Sequence, residues 1–133
     1  MKHDFSLRVY YDHTDTGGVV YHSHYMIFAE HARTEFLRDF GINQQELFER
    51  THCLFVVTRV QINYKASAKL DDLLVVETTV TKIQNAQVSF KQIIKRDGKE
   101  VVVLLVDVAF IAQSGKLMRL PAEFLEKLKE RGN

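Results

Sequence analysis

Residues 25–40 read YMIFAEHARTEFLRDF, and this stretch decides the fold. Its apolar members recur at spacings of three and four, with charged residues between them, and this period is typical of an amphipathic helix. The pattern predicts about four turns at ~3.6 residues per turn. Gly41 follows, and glycine suits the left-handed conformation that commonly closes a helix. The apolar positions are Tyr25, Phe28, Ala29, Ala32, Phe36, Leu37 and Phe40.

Strands predominate on both sides of this helix. Phe5–Tyr11 alternates apolar and polar residues, which predicts a short, half-buried opening strand. After a shorter helix over Gln44–Arg50, four segments rich in Val, Ile and Thr predict long strands. Asp97-Gly98 predicts a hairpin turn between the last two strands, and Pro121 predicts the first turn of a final helix. The four strand segments are Leu54–Tyr64, Leu73–Ile83, Val88–Lys95 and Glu100–Ala112.

The order of these elements indicates an α+β fold, with residues 1–133 forming a single domain. A curved sheet of five antiparallel strands, wrapped around one long central helix, satisfies this order because an aromatic-rich helix needs a curved sheet to cover it. Such a sheet keeps an edge strand. We therefore expect two subunits to pair edge to edge into one continuous sheet.

The composition excludes several classes of protein. With 133 residues, 46% hydrophobic and 26% charged, the chain is typical of a folded globular protein. Eighteen Lys and Arg against 17 Asp and Glu leave a formal charge of +1, so we expect no nucleic-acid partner. The longest apolar run, Val101–Val106, is far below the roughly 20 residues of a membrane span. The charged opening does not resemble a signal peptide, and the lone Cys53 allows no internal disulfide, so we expect a cytoplasmic protein.

The densest polar cluster of the chain connects the first strand to the long helix. Residues 10–25 read YYDHTDTGGVVYHSHY and contain two carboxylates, three histidines and the pair Gly17-Gly18. Loops held by rigid elements carry most catalytic and binding groups. The backbone amides at the start of the helix add unsatisfied hydrogens and a partial positive charge. This connection is therefore the candidate site.

Asp15 is the candidate catalytic residue of the cluster. Amide donors at a helix start stabilise a carbonyl oxygen that becomes negative during acyl transfer, and a carboxylate on the other side completes the minimum apparatus for hydrolysis. Asp15 would attack the carbonyl directly or take a proton from water. The structural alternative is that the aspartates of this connection serve helix capping and turn formation.

One long pattern runs through the connection: Arg8-Val9, four residues, Thr14-Asp15, two residues, Gly18-Val19-Val20, one residue, His22, two residues and Tyr25. It resembles the signature of the 4-hydroxybenzoyl-coenzyme A thioesterase family. With the EHARTE stretch at residues 30–35, the chain is most similar to the YbgC-type acyl-coenzyme A thioesterase branch. The similarity runs from about residue 6 to residue 121, and so long a pattern is far more specific than a short glycine motif.

The resemblance implies a hot-dog fold, a homodimer or homotetramer, and hydrolysis of an acyl thioester without a metal or bound cofactor. The substrate would be an acyl-CoA, or an acyl group on acyl carrier protein. Asp15 would act as nucleophile or general base, and His22 matches the position that frames the helix start and helps to hold the thioester. Gly18, Val19 and Tyr21 would shape the backbone around the carbonyl. In this family the site lies at a subunit interface, with a backbone amide at a helix start holding the oxyanion.

Two stretches depart from the pattern of this branch. Relatives usually carry an aspartate where His13 stands, and we expect the histidine to alter the pH profile without removing Asp15. The stretch Tyr64–Asp72 resembles one that usually has proline at the Ser67 position and glycine at the Asp71 position. The shape of the substrate pocket there is therefore not carried over from the family.

Other chemical schemes fit the sequence less well. His22, His24 and Asp15 do not supply the four ligands of a structural zinc site. Cys53 precedes an apolar run and is typical of a packing residue, not of a thiol nucleophile. Some hot-dog thioesterases use a carboxylate on the helix as the catalytic group, and Glu30 and Glu35 lie on the predicted helix. With the loop pattern intact, we interpret Glu30 as a polar-face residue that supports Arg33.

Two alternatives to a thioesterase remain on the same fold. A non-catalytic protein that binds acyl thioesters is the alternative from another class, because a fold does not fix a function. A hot-dog dehydratase ranks last, because it needs its own Asp/His pair at the helix and His31 matches it poorly.

Overall fold

A computed structural model describes residues 2–131 of the chain. These residues form five strands and three α-helices, with one short 3₁₀ helix at Tyr11–His13. In chain order the elements are β1 (Lys2–Arg8), α1 (His24–Asp39), α2 (Gln44–Thr51), β2 (Cys53–Tyr64), β3 (Leu73–Ile83), β4 (Gln87–Arg96), β5 (Lys99–Ala112) and α3 (Ala122–Arg131).

The five strands form one antiparallel sheet in the order β1-β3-β4-β5-β2. The Asp97-Gly98 turn joins β4 to β5 as predicted, with φ angles of 52° and 77°. Strands β1 and β2 lie at the two edges. The sheet is open, and together with α1 it has the hot-dog architecture that the sequence predicted.

The opening strand was predicted three residues too late in the chain. It runs over Lys2–Arg8 instead of Phe5–Tyr11, because its partner β3 begins at Leu73, opposite Arg8. Beyond that pair, Val9 exchanges hydrogen bonds with the turn before β3: its amide donates to the Asp72 carbonyl and its carbonyl accepts from the Asp71 amide. The chain then leaves the sheet and enters the 3₁₀ turn. The alternation of apolar and polar residues that predicted the strand continues past Arg8, where pairing with β3 ends.

Helix α1 lies against β1, β3 and β4. Its buried face consists of Tyr25, Phe28, Ala29, Ala32, Phe36 and Leu37, which are the positions that its period predicted. Phe36 meets Phe90 of β4 edge to face at 5.4 Å, a geometry that aromatic pairs favour. Gly41 follows the helix with a φ of 82°, as predicted.

A buried polar network fixes α1 on the sheet. Gln92 of β4 has no exposed surface, and its Nε2 donates to the Ala29 carbonyl at 2.9 Å and to Thr78 Oγ1 at 3.0 Å. Its Oε1 accepts from Arg33 Nη1 at 2.8 Å. Buried amides need such partners, so this residue joins α1, β3 and β4. Within residues 2–131, no helix is long and apolar enough to cross a membrane.

Candidate active site

The backbone around Asp15 forms a tight turn that leads from β1 toward α1. The Asp15 amide donates to the Val19 carbonyl at 2.9 Å, and the Gly18 amide donates to the Asp15 carbonyl at 3.1 Å. Gly18 has a φ of 80°, which a residue with a Cβ adopts only at a cost. Thr14 and Val20 face each other across the turn in an isolated bridge. These hydrogen bonds and the Thr14–Val20 bridge define the backbone conformation at Asp15.

The Asp15 side chain is exposed and lies over its own turn. Its Oδ1 accepts a hydrogen bond from the Gly17 amide at 2.8 Å. A Cβ on Gly17 would lie 3.2 Å from that oxygen, a tight contact that the carboxylate would relieve by shifting a few tenths of an ångström. Oδ2 makes no hydrogen bond within residues 2–131. The structural alternative was thus half right: Asp15 forms a turn, but it does not cap α1, whose N-cap is Ser23.

The turn rests on a second segment, distant in sequence, between β2 and β3. The Val20 amide donates to the Ala68 carbonyl at 2.9 Å, and Val19 forms a bridge with Lys69. The Ala68 amide donates in turn to the Tyr25 hydroxyl at 3.0 Å. Burial raises the pKa of Tyr25 above its ordinary value, so the hydroxyl stays protonated at neutral pH.

Asp72 and Arg96 keep this supporting segment in shape. Asp72 Oδ2 accepts from the Lys69 amide at 2.8 Å and from Arg96 Nη1 at 2.9 Å, and Arg96 also donates to the Ser67 carbonyl. Burial alone would raise the pKa of Asp72, but the Lys69 amide and the Arg96 guanidinium hold it below its ordinary value. The Asp72 carboxylate is therefore ionised in the folded protein at neutral pH.

The start of α1 offers amide hydrogens that no side chain caps. Ser23 makes no side-chain cap, and the first turn carries no acidic residue. Tyr21 donates its amide to the His13 carbonyl and His24 donates its amide to the Tyr21 carbonyl, each at 2.9 Å. The intervening amides of His22 and Ser23 donate to no hydrogen bond among the described residues. A helix start of this kind attracts negative charge.

The predicted positioning residues lie close to this helix start. His22 is exposed, with its ring 4.4 Å from that of Tyr21 and 6.5 Å from that of Tyr64. Tyr21 is itself half exposed at 48%. Gly18 is exposed and Val19 is half-buried. The structure therefore brings His22 close to both Tyr21 and Tyr64, and the sequence did not single out Tyr64.

His13 has a role in the loop that the sequence did not reveal. Its Nδ1 accepts from the Tyr10 amide at 2.9 Å, and its carbonyl receives the Tyr21 amide. Its ring packs edge to face against Phe28 at 5.0 Å and His24 at 5.3 Å. The histidine thus connects the beginning and the end of the loop. No feature of the sequence marks such a contact, because it depends on how the loop folds back.

Two neighbouring grooves run along α1 on the side that faces β2 and β5. One has a volume of about 460 Å³ and the other of about 240 Å³, and both are lined by Glu30, Arg33 and Val57. The smaller groove begins at Met26 and Ile27 in the first turns of α1. Neither groove is lined by Asp15 or His22.

The remaining candidates from the sequence have roles other than the one proposed for Asp15. Cys53 is buried, and its Sγ donates to the Thr51 carbonyl at 3.4 Å, which is the packing role that the sequence indicated. Glu30 is exposed on α1 and lines both grooves. Among residues 2–131, no three His, Cys, Asp or Glu side chains come together as metal ligands would.

Comparison with known proteins decides the family. The model of the thioesterase-like superfamily matches residues 9–128. The chain belongs to this superfamily. The match covers both the Asp15 turn and the segment that supports it. The family that the sequence resembled is therefore confirmed.

Individual members of the thioesterase-like superfamily agree with this assignment. The acyl-CoA thioesterase YbgC of Haemophilus influenzae is 43% identical over 94% of this chain and 90% of its own length. The acyl-CoA thioester hydrolase YbgC of an Escherichia coli strain is 41% identical over 76% of this chain and 79% of its own. The crystal structure of a probable thioesterase from Bartonella henselae superposes with a TM-score of 0.88, at 40% identity, over 91% of this chain and all of that one.

Proposed function

We propose that this protein hydrolyses acyl-CoA thioesters to a free carboxylic acid and coenzyme A. The observation that carries the proposal is the exposed Asp15 carboxylate on a hydrogen-bonded turn, in the same loop as a helix start whose His22 and Ser23 amides are free among the described residues. Membership of the thioesterase-like superfamily, and the names of the two YbgC relatives, support the same reaction. An acyl group on acyl carrier protein is a second carrier that the same site would accept.

The reaction follows from charge complementarity. The thioester carbonyl oxygen would point at the amides of His22 and Ser23, which stabilise the negative charge that develops on it. Asp15 would approach the carbonyl carbon from the other side, either as a nucleophile or as a base that takes a proton from water while that water attacks the carbon. In both cases the C–S bond breaks, the sulfur leaves with its electron pair, and a proton completes the thiol. In the nucleophilic route a mixed anhydride with Asp15 is formed, and water then hydrolyses it to the free acid and the original carboxylate.

The other predicted residues serve this geometry. Gly18 permits the turn at a φ of 80°, and Val19 joins it to Lys69, so together they hold the carboxylate in place. The exposed rings of Tyr21 and His22, 4.4 Å apart, would cover the thioester and exclude water. No step in this scheme uses a metal or an organic cofactor.

A second copy of the chain would complete the site. Asp15 is exposed in the single chain, whereas catalytic carboxylates work best where water is excluded. Strand β2 is an unprotected edge of 12 residues with Arg59 as its one charged residue, and it is suited to pair with a second β2. We propose a homodimer built on this edge, which associates further into a homotetramer.

Two further predictions belong to this proposal. Residues 1–133 form one domain. A cytoplasmic location fits the lone Cys53, because disulfides are rare in that compartment.

The test is the substitution Asp15→Asn. Asparagine keeps an oxygen that accepts from the Gly17 amide, so the turn survives while the charge is lost. We expect kcat for an acyl-CoA ester to fall by about 100-fold or more, because a positioned base or nucleophile contributes that much. Release of free thiol is measured with a disulfide reagent.

Asp12→Asn is the matched control, since Asp12 is an exposed carboxylate in the same loop. We expect its turnover to stay within a few-fold of wild type. If Asp15→Asn also stays within a few-fold, the catalytic assignment is wrong. Binding of a non-hydrolysable acyl-CoA analogue by a wild-type protein that releases no thiol would favour a binding protein instead.

A further inference from the structure

Tyr25 carries a hydroxyl group into the apolar core. It lies in the first turn of α1 and is only 3% exposed. Its ring packs edge to face against Phe28 at 6.2 Å and against Tyr64 at 6.0 Å. A phenylalanine would make the same ring contacts, so the hydroxyl is what distinguishes tyrosine at this position. Burying a hydroxyl costs free energy unless it forms a hydrogen bond.

The hydrogen bond of this hydroxyl leads to the loop that contains Asp15. The hydroxyl oxygen accepts from the Ala68 amide at 3.0 Å, and the Ala68 carbonyl accepts from the Val20 amide at 2.9 Å. Ala68 has no exposed surface and Val20 is 4% exposed. Water therefore cannot easily replace a lost partner at either residue, and a buried amide without a partner is costly. The two backbone groups of Ala68 thus join the first turn of α1 to the loop.

The segment at residues 68–72 holds the loop at three buried anchors. At the beginning of the loop, Val9 exchanges two backbone hydrogen bonds with the far end of this segment. Later in the loop, the backbone of Val20 bonds to Ala68, and at the end the Tyr25 hydroxyl bonds to the same residue. The first two anchors are made by backbone groups, whereas the third depends on a side chain. A single substitution can therefore remove the Tyr25 anchor and leave the backbone groups of the others in place.

The two parts of the candidate site lie on either side of the Val20 anchor. The turn that carries Asp15 precedes Val20, and the amides of His22 and Ser23, which are free among the described residues, lie between Val20 and Tyr25. The proposed hydrolysis needs the carboxylate and the amides to act on one carbonyl group. Their relative placement depends on the two anchors that share one residue of the supporting segment. A misplacement of about 1 Å in such a site can cost about 100-fold in rate.

We propose that Tyr25 is a positioning residue for the hydrolysis, and that its hydroxyl holds the amides of the helix start in place relative to the Asp15 carboxylate through Ala68. The proposal rests on the proposed thioesterase function. Tyr25 is buried and does not touch the thioester, so it acts through Ala68 and Val20. Loss of the hydroxyl should therefore lower kcat and leave KM unchanged, since the contacts that bind the ground state of the substrate remain.

The test is the isosteric substitution Tyr25→Phe, with release of free thiol from an acyl-CoA ester as the assay. We expect kcat to fall by about tenfold or more and KM to stay within about twofold of wild type, because the ring remains while the anchor is lost. Thr51→Val is the matched control, since Thr51 Oγ1 also accepts from a backbone amide, that of Cys53 at 3.1 Å, at the link between α2 and β2. Its kcat should stay within about twofold of wild type.

Amide hydrogen exchange, followed by NMR, gives a second readout that needs no turnover. In Tyr25→Phe the amides of Ala68 and Val20 should exchange at least about tenfold faster than in the wild type, whereas Thr51→Val should not select these two amides. If Tyr25→Phe does not fold, as judged by circular dichroism, exchange in the wild type decides. Both amides should then exchange at least about tenfold more slowly than that of Tyr11, which donates to no hydrogen bond among residues 2–131. Equal rates overturn the proposal.

Three outcomes would overturn the positioning role. The first is a kcat for Tyr25→Phe equal to that of Thr51→Val. The second is a rise in KM with kcat unchanged, which assigns the hydroxyl to substrate binding. The third is a fall in kcat without faster exchange at Val20, because the hydroxyl would then act by another route. A wild type that releases no thiol refutes the proposed function instead, and the exchange rates still show whether Tyr25 anchors the loop.

Discussion

At the scale of single residues, Asp71 explains one departure of this chain from its family. The residue has a φ of 71°, its amide donates to the Val9 carbonyl, and its carbonyl accepts from Arg8 Nη1 at 2.8 Å. Glycine is usual at this position in the branch that the sequence resembles, and glycine adopts such angles without strain. Aspartate is among the few other residues that tolerate them. The φ of Asp71 is therefore the conformation that the glycine implied by the resemblance would adopt without strain.

This conformation predicts an order of stability at position 71. Asp71→Gly should leave the free energy of unfolding unchanged or raise it by up to about 1 kcal/mol, because the strain is removed. Asp71→Val should lower it by about 1–2 kcal/mol, because a β-branched side chain is strained at positive φ. Urea unfolding followed by circular dichroism measures both. The control is Lys91→Val, at an exposed strand position with ordinary φ. A valine variant at 71 as stable as the wild type would contradict the argument.

At the scale of elements, the sequence predicted what local pattern determines. The 3.6-residue period gave α1 to within one residue at each end, and β2–β5 were located because Val and Thr alternation ended at turn residues. The end of β1 was wrong, because it depends on where β3 begins, more than 60 residues later. Pairing partners distant in sequence leave no local trace.

The candidate site divides in the same way. The turn at Asp15 and the helix start are adjacent in sequence, so a single stretch revealed both. The support from Ala68 and Lys69, about 50 residues away, was not predictable from spacing, nor was the contact of Gln92 with Arg33. A buried glutamine in an alternating strand looks like any polar position until the helix that it anchors is known.

Gln92 predicts how strongly α1 is tied to the sheet. Gln92→Leu would leave Thr78 Oγ1, the Ala29 carbonyl and Arg33 Nη1 without this partner, and unsatisfied buried groups cost about 1–3 kcal/mol each before relaxation. We expect the free energy of unfolding to fall by about 2–3 kcal/mol. Gln61→Leu, at an exposed strand position, is the matched control and should change it by less than about 0.5 kcal/mol. Equal unfolding midpoints for the two variants would show that the network contributes nothing.

At the scale of the whole molecule, the two sheet edges differ in how they are protected. Strand β1 has seven residues, of which Lys2, Asp4 and Arg8 are charged. Strand β2 has 12 residues and one charge, at Arg59, and its neighbour β5 satisfies only one of its sides. Charges on an edge discourage pairing with another chain, whereas a long apolar edge invites it. The proposed dimer should therefore form through β2, which also brings a second copy to the grooves along α1.

This difference gives a prediction with a matched pair of substitutions. Val57 on β2 and Leu105 on the internal strand β5 are equally exposed in the single chain, at 42% and 43%. Val57→Glu would place an uncompensated charge in the proposed interface, so we expect the protein to sediment as a monomer in analytical ultracentrifugation at micromolar concentration. Leu105→Glu should remain at least a dimer, because its strand has neighbours on both sides. A monomeric wild type would contradict the proposed dimer, and dissociation by the Leu105 variant alone would place the interface away from β2; either result would leave Asp15 uncovered by a second β2 edge.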